Sequence, residues 1–523
     1  MSYSDNPSIP QMLSPTAYEI GRYGRTPASH FYGLPNISIP LTEVRAKGYT
    51  MPVTLSYNAG GHKPDQHPGW VGLGWSLHAG GSIIRIINGM KDEMSKQEYC
   101  DLTGLEPTQH PGYLHRMDEF QTGTNWNDVV TLAENSLPWM DREPDEYIIN
   151  VNGIHASFYI TAADKIAIVS RDESAIELDS FEIADDSGTS YMELYPGKCD
   201  KPMSVRRYKY LKTFIIRDKY GNRYVFGGDD DAIEYSVVQH PNILTNGVSF
   251  VNSGQWKAIA TANSWMLTRI ERADGEVITF EYEKSGVPIV LRDIHHGELF
   301  VADNNTSLVS QYDTYSNYQN GYKSNLNYHF LLPSYLKSIK CMLSGDELNF
   351  ETENSTELQY AITEEDFNLY IGDFSNSYSV GPFSYSQFQA ENYYRKLTRI
   401  SGECRDIRFE YTNDVNIRLR LNAISLCKND AEYARYIFSY KDLSLPAYNS
   451  RQTDIWGYYN GISYSDLLGS FGTGMNQRRI ASEDYMDAEI LTCVTYPTGG
   501  RSWRDVEKQL GKSYNIYLKL MRK

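Results

Sequence analysis

Residues Gly69–Gly81 read "GWVGLGWSLHAGG". Trp70 and Trp75 flank Val-Gly-Leu-Gly, and the pair Gly80-Gly81 follows. A glycine-rich loop of this kind either wraps a phosphate or shapes a corner. A dinucleotide loop needs a third glycine and a helix behind it, and a P-loop needs Gly-Lys-Ser/Thr. Here Gly72-Leu-Gly74 runs into Trp-Ser-Leu and then into the β-branched "SIIRIIN". The segment therefore predicts a corner. Gly72 and Gly74 supply backbone angles or close approaches that a Cβ forbids. Trp70 and Trp75 supply buried apolar surface, and Gly80 and Gly81 turn the chain into the next strand.

The flanks alternate with period two. Ile37, Ile39 and Leu41 share one face of "NISIPLTEV", and Val53, Leu55 and Tyr57 share one face of "YTMPVTLSYNAG", with "RAKG" as the hairpin loop between them. Residues 96–140 are less regular, and a helix is expected around "DVVTLAENS". Further on, "EPDEYIINVNGIHASFYI" reads as strand, Asn-Gly turn and strand, and the alternation continues through "KIAIVSRDESAIEL".

From about residue 205 a degenerate unit recurs five times. Each copy opens with Leu-x-x-apolar: Leu211/Phe214, Leu267/Ile270, Leu336/Ile339, Leu397/Ile400 and Leu421/Ile424. Each closes with a Phe in an alternating strand: Phe226, Phe280, Phe350, Phe409 and Phe438. One unit is a two-stranded hairpin with these residues on one face, and it must pair with its neighbours to bury that face. The long Asn/Tyr/Ser-rich stretches between copies are expected as surface loops. The resulting expectation is an all-β chain of antiparallel hairpin repeats, in extended sheets or sandwich-like modules, with minor helices. Its parts are an N-terminal hairpin region (1–95), a mixed segment (96–204), the repeat region (205–500) and a basic tail (501–523). Trp503, Val506, Leu510 and Tyr514 fall at helical spacing in that tail.

The 523 residues include 42 Tyr, against 18 Phe and 8 Trp, an excess that suits half-wet pleated faces. The formal net charge of −17 argues against nucleic acid as a principal partner. Six scattered cysteines form no CxxC pair and indicate no zinc ribbon or thioredoxin-type site. No apolar run reaches membrane-spanning length, and the first residues show no basic stretch followed by an apolar one, so neither a span nor a signal peptide is expected here.

His62, Asp65 and His67 stand close together in "HKPDQH", but no second ligand cluster accompanies them, and they read as exposed surface residues. The neighbours His295 and His296 point to opposite sides of a strand. Asp229, Asp230 and Asp231 lack the alternation of a calcium loop and read as a solvated turn. No nucleophile elbow or Cys-His signature is present, so no catalytic, cofactor or metal residue is assigned. In "TDIWGYYNG", Trp456, Tyr458 and Tyr459 are expected as a second aromatic cluster.

In chain order, "SHFYGLPNISIPL", "PVTLSYNAGG", "WVGLGWSLHAGGSIIR", "EPDEYIINVNG", "DKYGNRYVFGG", "SWMLTRI", "TDIWGYYNG" and "YPTGG" resemble landmarks of the N-terminal, pre-repeat region of bacterial RHS/YD-repeat proteins. "GLGWSL" is also similar to a segment of the B/C components of toxin complexes. The resemblance implies a large, all-β, secreted or cell-surface protein whose downstream repeats wind into a hollow shell, with a toxin domain enclosed in some members. It implies a non-enzymatic scaffold that helps to close or anchor that shell, with a downstream repeat-shell or toxin polypeptide as partner. The alternatives are a glycan-binding surface protein and a glycoside hydrolase. Three features depart from the family pattern: no signal peptide is visible, the sequence after "YPTGG" becomes basic, and His62 and His67 lie outside the motif.

Overall fold

The computed structural model describes chiefly residues 37–103, 106–115, 141–184, 190–193, 204–238, 259–294, 326–357, 384–462 and 481–503, with short breaks inside some of these spans. Among the described residues the architecture is antiparallel β-sheet almost throughout, with two short α-helices, Lys96–Thr103 and Tyr385–Glu391. The helix expected around "DVVTLAENS" and the pair His295/His296 lie outside the described residues.

One long sheet carries the repeats. Its strands pair in the order Ile176–Ala184, Tyr210–Asp218, Arg223–Gly227, Ile259–Glu271, Val277–Lys284, Ser334–Cys341, Glu347–Asn354, Arg395–Gly402, Arg405–Asp414, Ile417–Lys428, Ala431–Tyr440, Leu491–Thr495 and Arg501–Trp503. Every Leu, apolar and Phe position of the five repeat units is buried in one continuous core. Consecutive units interlock through that face: Phe280 stands opposite Ile339, Phe350 opposite Ile400, and Phe409 opposite Ile424.

The spacing Leu-x-x-apolar needs explaining, because residues three apart in a regular strand face opposite ways. Each unit solves this with a β-bulge directly after its leucine. The register skips Lys212, Thr268, Lys337, Thr398 and Asn422 in turn. The extra residue absorbs one step of the pleat, so Leu and the apolar residue three positions on return to the same face. The bulge also frees the leucine carbonyl, and in the first, second, fourth and fifth units a side-chain donor takes it. Tyr282 donates to the Leu267 carbonyl (2.9 Å), Tyr411 to that of Leu397 (2.7 Å) and Tyr440 to that of Leu421 (2.6 Å). In the first unit, Trp265 Nε1 donates to the Leu211 carbonyl at 2.6 Å. Part of the tyrosine excess is thus buried hydrogen-bonding equipment.

A sixth unit, missed in the sequence reading, follows the same rule. Leu491 and Val494 are buried, Thr492 is the bulge, and Val494 stands opposite Phe438. Thr492 donates to the Ser439 carbonyl (3.0 Å), as Thr398 does to that of Glu351 (3.0 Å). Its second strand is Arg501–Trp503, where a helix was expected to begin. The strand completes the hairpin after "YPTGG", and the helical spacing through Val506, Leu510 and Tyr514 lies outside the described residues. Tyr411→Phe leaves a freed carbonyl without its donor and is expected to cost roughly 1–2 kcal/mol, read as a lower urea midpoint at unchanged slope.

The outer face of the long sheet is laced with cross-strand ion pairs, including Arg217–Asp179, Arg223–Glu271, Lys340–Glu281, Arg399–Glu351 and Arg435–Glu410. A second sheet orders Lys165–Val169, Ile154–Ala162, Glu146–Val151, Gly81–Ile86, Ile259–Glu271, Ile233–Val238, Leu326–Leu332 and Ile289–Ile294. The long strand Ile259–Glu271 belongs to both sheets: Ser264–Met266 pair with Gly81–Ile86 and Arg269–Glu271 with Val277–Lys284. Pairing therefore crosses the expected boundaries at 95 and 204. A third sheet, Ile37–Ala46, Tyr49–Tyr57 and Trp75–His78, contributes its apolar side chains to the same core as the repeats. Its hairpin tip is tied to turns of the long sheet, through Lys47 N to Glu276 Oε2 (3.0 Å) and Arg45 N to Asp346 Oδ2 (2.7 Å).

Candidate functional site

The Gly/Trp segment lies against the apolar face of the long sheet and touches one repeat after another. Gly80 faces Phe280 and the Tyr282 hydroxyl of the second unit, the latter 3.4 Å from where a Cβ would stand. The Trp70 ring lies beside Tyr335 and Phe350 of the third unit, with centroids 6.2 and 6.3 Å away. Its carbonyl accepts from Leu397 N of the fourth unit at 2.8 Å. Leu73 N donates to the Leu419 carbonyl (2.9 Å), two residues before the fifth unit begins. Trp75 packs on Phe438 at 4.7 Å, and its Nε1 donates to the Tyr440 hydroxyl at 2.8 Å. The Tyr57 hydroxyl, on the strand paired with Trp75–His78, accepts from Leu491 N of the sixth unit at 2.9 Å.

The glycines make this contact geometrically accessible. Gly72 has φ +98° and Gly74 has φ +77°, both in the region L side chains avoid. A Cβ on Gly72 would stand 3.0 Å from Leu421 N, and one on Gly74 would stand 2.6 Å from His62 Cε1 and 2.8 Å from Tyr57 Cε2. A Cβ on Gly81 would stand 2.6 Å from Val151 Cβ in the neighbouring strand. The loop amides are already used: Gly72 N bonds the Gly69 carbonyl (3.0 Å), Leu73 N that of Leu419 (2.9 Å) and Trp75 N that of Gly72 (3.1 Å). Strand, not helix, follows at Trp75–His78 and Gly81–Ile86.

The histidines are not surface residues, which corrects the expected exposure of this loop. His62 is buried, with Nε2 2.9 Å from the Tyr57 hydroxyl, and His67 is half-buried and stacks on Tyr448 at 4.1 Å. Burial pulls His67 well below the ordinary histidine range, and the Arg418 guanidinium adds to the shift. Asp65 is exposed. The reason is that the 62–67 loop is roofed by a distant segment, which sequence spacing does not reveal. Arg418 Nη2 donates to the Pro64 carbonyl (2.5 Å) and to the Pro446 carbonyl (3.0 Å), while Tyr448 donates to Glu357 Oε2 at 2.9 Å.

The second aromatic motif belongs to this same roof. Asp454 Oδ1 accepts from Trp456 N and Tyr458 N, at 2.8 and 2.9 Å, which fixes the turn. Tyr458 donates to the Gly60 carbonyl at 3.3 Å, and its ring lies 3.2 Å from where a Gly61 Cβ would stand. Tyr459 packs edge-on against Tyr485 at 5.1 Å, beside the small cluster of Leu73, Leu445 and Ala488. Trp456 is 49% exposed. Two motifs read separately in the sequence thus meet around Gly60–Leu73.

The acidic run is a short 3₁₀ turn capped by Asp229, with Asp230 paired to Arg207 at 2.8 Å. Elsewhere, Ser14, Glu234, Tyr235 and Asn263 close together with Leu331, Leu332 and Pro333 over a gap too small for a water molecule. There Ser14 Oγ donates to both Glu234 oxygens, at 2.9 and 2.7 Å, and burial raises this carboxyl to about 7.

In structure, the chain is distantly similar to toxin-complex B/C components and to an effector N-terminal domain. Against TcdB2-TccC3 the TM-score is 0.31 at 12% identity, over 80% of this chain and 17% of that one. Against the Photorhabdus luminescens Tc holotoxin pore it is 0.30 at 12% identity, over 78% and 16%. Against the N-terminal domain of the effector SpvB from Salmonella typhimurium strain LT2 it is 0.24 at 11% identity, over 78% and 95%. The chain thus spans under a fifth of the toxin-complex chains it matches. No protein family and no curated protein matches the sequence. No helix among the described residues is long and apolar enough to cross a membrane.

Proposed function

We propose that this chain is a non-enzymatic scaffold of RHS type, the N-terminal part of a secreted or cell-surface assembly, which closes or anchors a β-shell. The observation that carries this reading is the strip of contacts from Gly/Trp segment to repeats. One short stretch and its paired strand meet the third through sixth units through ring packing and hydrogen bonds, and Gly80 faces the second. Such a strip fixes the spacing of successive hairpins and hence the curvature of the sheet they form. The order of family-like motifs in the sequence supports the RHS assignment. The partner proposed is a downstream repeat-shell or toxin polypeptide.

Co-expression with repeat-bearing polypeptides encoded beside this chain tests the reading. A stable complex on size-exclusion chromatography is expected. Separate elution of the two chains across a range of concentrations would refute the shell-closing role.

A further inference from the structure

We propose that a buried charge cluster around Arg85 is a pH-set clasp, which holds residues 88–103 and 106–115 against the second sheet more tightly in acid than in alkali, with Glu98 as the group that exchanges its proton. The cluster stands apart from the Gly/Trp segment and does not depend on the scaffold reading.

Arg85, on the strand Gly81–Ile86, is fully buried. Its Nη1 and Nη2 donate to Glu93 Oε1 and Oε2, at 2.9 and 2.6 Å, and its Nε donates to Asp145 Oδ2 at 2.7 Å. Asp92 and Asp145 exchange side-chain-to-backbone bonds. Asp92 N donates to Asp145 Oδ2 and Asp145 N to Asp92 Oδ1, both at 3.0 Å. The Tyr147 hydroxyl donates to Asp92 Oδ2 at 3.3 Å, and Asn88 N to Asp145 Oδ1 at 2.9 Å. Lys91 lies 2.7 Å from Glu98 Oε1, on the helix Lys96–Thr103, and also donates to the Lys209 carbonyl at 3.3 Å. At the rim, His115 Nε2 lies 3.3 Å from the Glu93 carbonyl and stacks on His110, while Tyr113 and Asp141 close the remaining side.

Among the described residues the charges do not balance: Asp92, Glu93, Glu98 and Asp145 are buried around Arg85 and Lys91. An uncompensated carboxylate is costly in so buried a site, so some of these groups keep a proton. Arg85 serves Glu93 and Asp145, and among the described residues Glu98 meets Lys91 alone. Burial accordingly pushes Glu98 up to about 7, although Lys91 pulls the other way. Asp92 and Asp145 are also raised by burial. Glu93 is held below its ordinary range: burial opposes ionisation, but Arg85 and Lys91 outweigh it.

The sign follows from proton uptake. Folded Glu98 binds its proton more tightly than the unfolded chain does, so its contribution is complete below the unfolded carboxyl range and is lost as pH rises through about 7. His115 is lowered, mainly by burial, and works in the opposite direction below the ordinary histidine range.

Hydrogen exchange read by mass spectrometry at pH 5.5 and pH 8, corrected for intrinsic rates, tests the clasp on the intact chain. The opening equilibrium of peptides from 88–115 is expected to rise about tenfold between the two conditions, while peptides from Glu347–Asn354 stay level. Glu98→Gln, which keeps the shape without the titration, should flatten that step. Lys91→Met should move it to higher pH. A step that survives in Glu98→Gln, or equal protection of the wild type at both pH values, would overturn the proposal.

Discussion

Gly74→Val is expected to lose about 2–5 kcal/mol of stability, read as a clearly lower urea midpoint. Two independent costs add at this position. The residue holds φ +77°, where a β-branched side chain pays about 1–2 kcal/mol in backbone strain. The new Cβ would also stand 2.6 Å from the His62 ring and 2.8 Å from the Tyr57 ring, and overpacking of a close-packed site adds about 1–3 kcal/mol. Neither ring can step aside freely. Tyr57 is held by Leu491 N and Trp75, and His62 by the Tyr57 hydroxyl. Gly153→Ala separates the two costs, because Gly153 has φ +84° with open space around it. That variant should lose only about 1 kcal/mol. Equal urea midpoints for Gly74→Val and Gly153→Ala would show that close approach is not what selects glycine in the motif.

Arg85→Met should cost about 3–5 kcal/mol near neutral pH, because it leaves Glu93 and Asp145 buried without their cation. The side chain is replaced by one of similar length, so cavity formation contributes little. The pH dependence distinguishes charge from packing. In the wild type the depressed Glu93 contributes stability above its unfolded range, and this is lost as pH falls through the folded value. In Arg85→Met the Glu93 carboxyl must rise above its unfolded value, so its sign reverses, and Asp145, already raised by burial, is pushed further the same way; stability is lost as pH rises instead. The gap between the two proteins is therefore expected to shrink steadily as pH is lowered from 8 to 5, in parallel urea titrations. A gap that stays constant would assign the loss to packing alone.

The repeat was legible because its chemistry is periodic. Leu, apolar and Phe recur with turn residues between them, and any chain with that pattern must pair hairpin to hairpin to bury one face. The sixth unit escaped because Leu491-Thr-Cys-Val494 carries a valine rather than Ile or Phe and ends in a strand of three residues. Leu-x-x-apolar followed by "YPTGG" was the signal that could have found it. Burial of His62 and His67 was not legible, because the residues that cover them, Arg418, Tyr448 and Tyr458, lie more than 300 positions away.

By itself, the sequence determined that the chain is all-β, that its glycines mark a corner rather than a phosphate loop, and that a Leu/Phe face repeats. These are local matters of backbone freedom, turn chemistry and side-chain alternation. Only the tertiary structure decided that the corner spans the repeats, that "TDIWGYYNG" roofs it, and that Arg85 sits among an excess of acids. Those depend on which distant strands share a sheet, and the energy of a buried contact is set by its surroundings in space rather than by its neighbours along the chain.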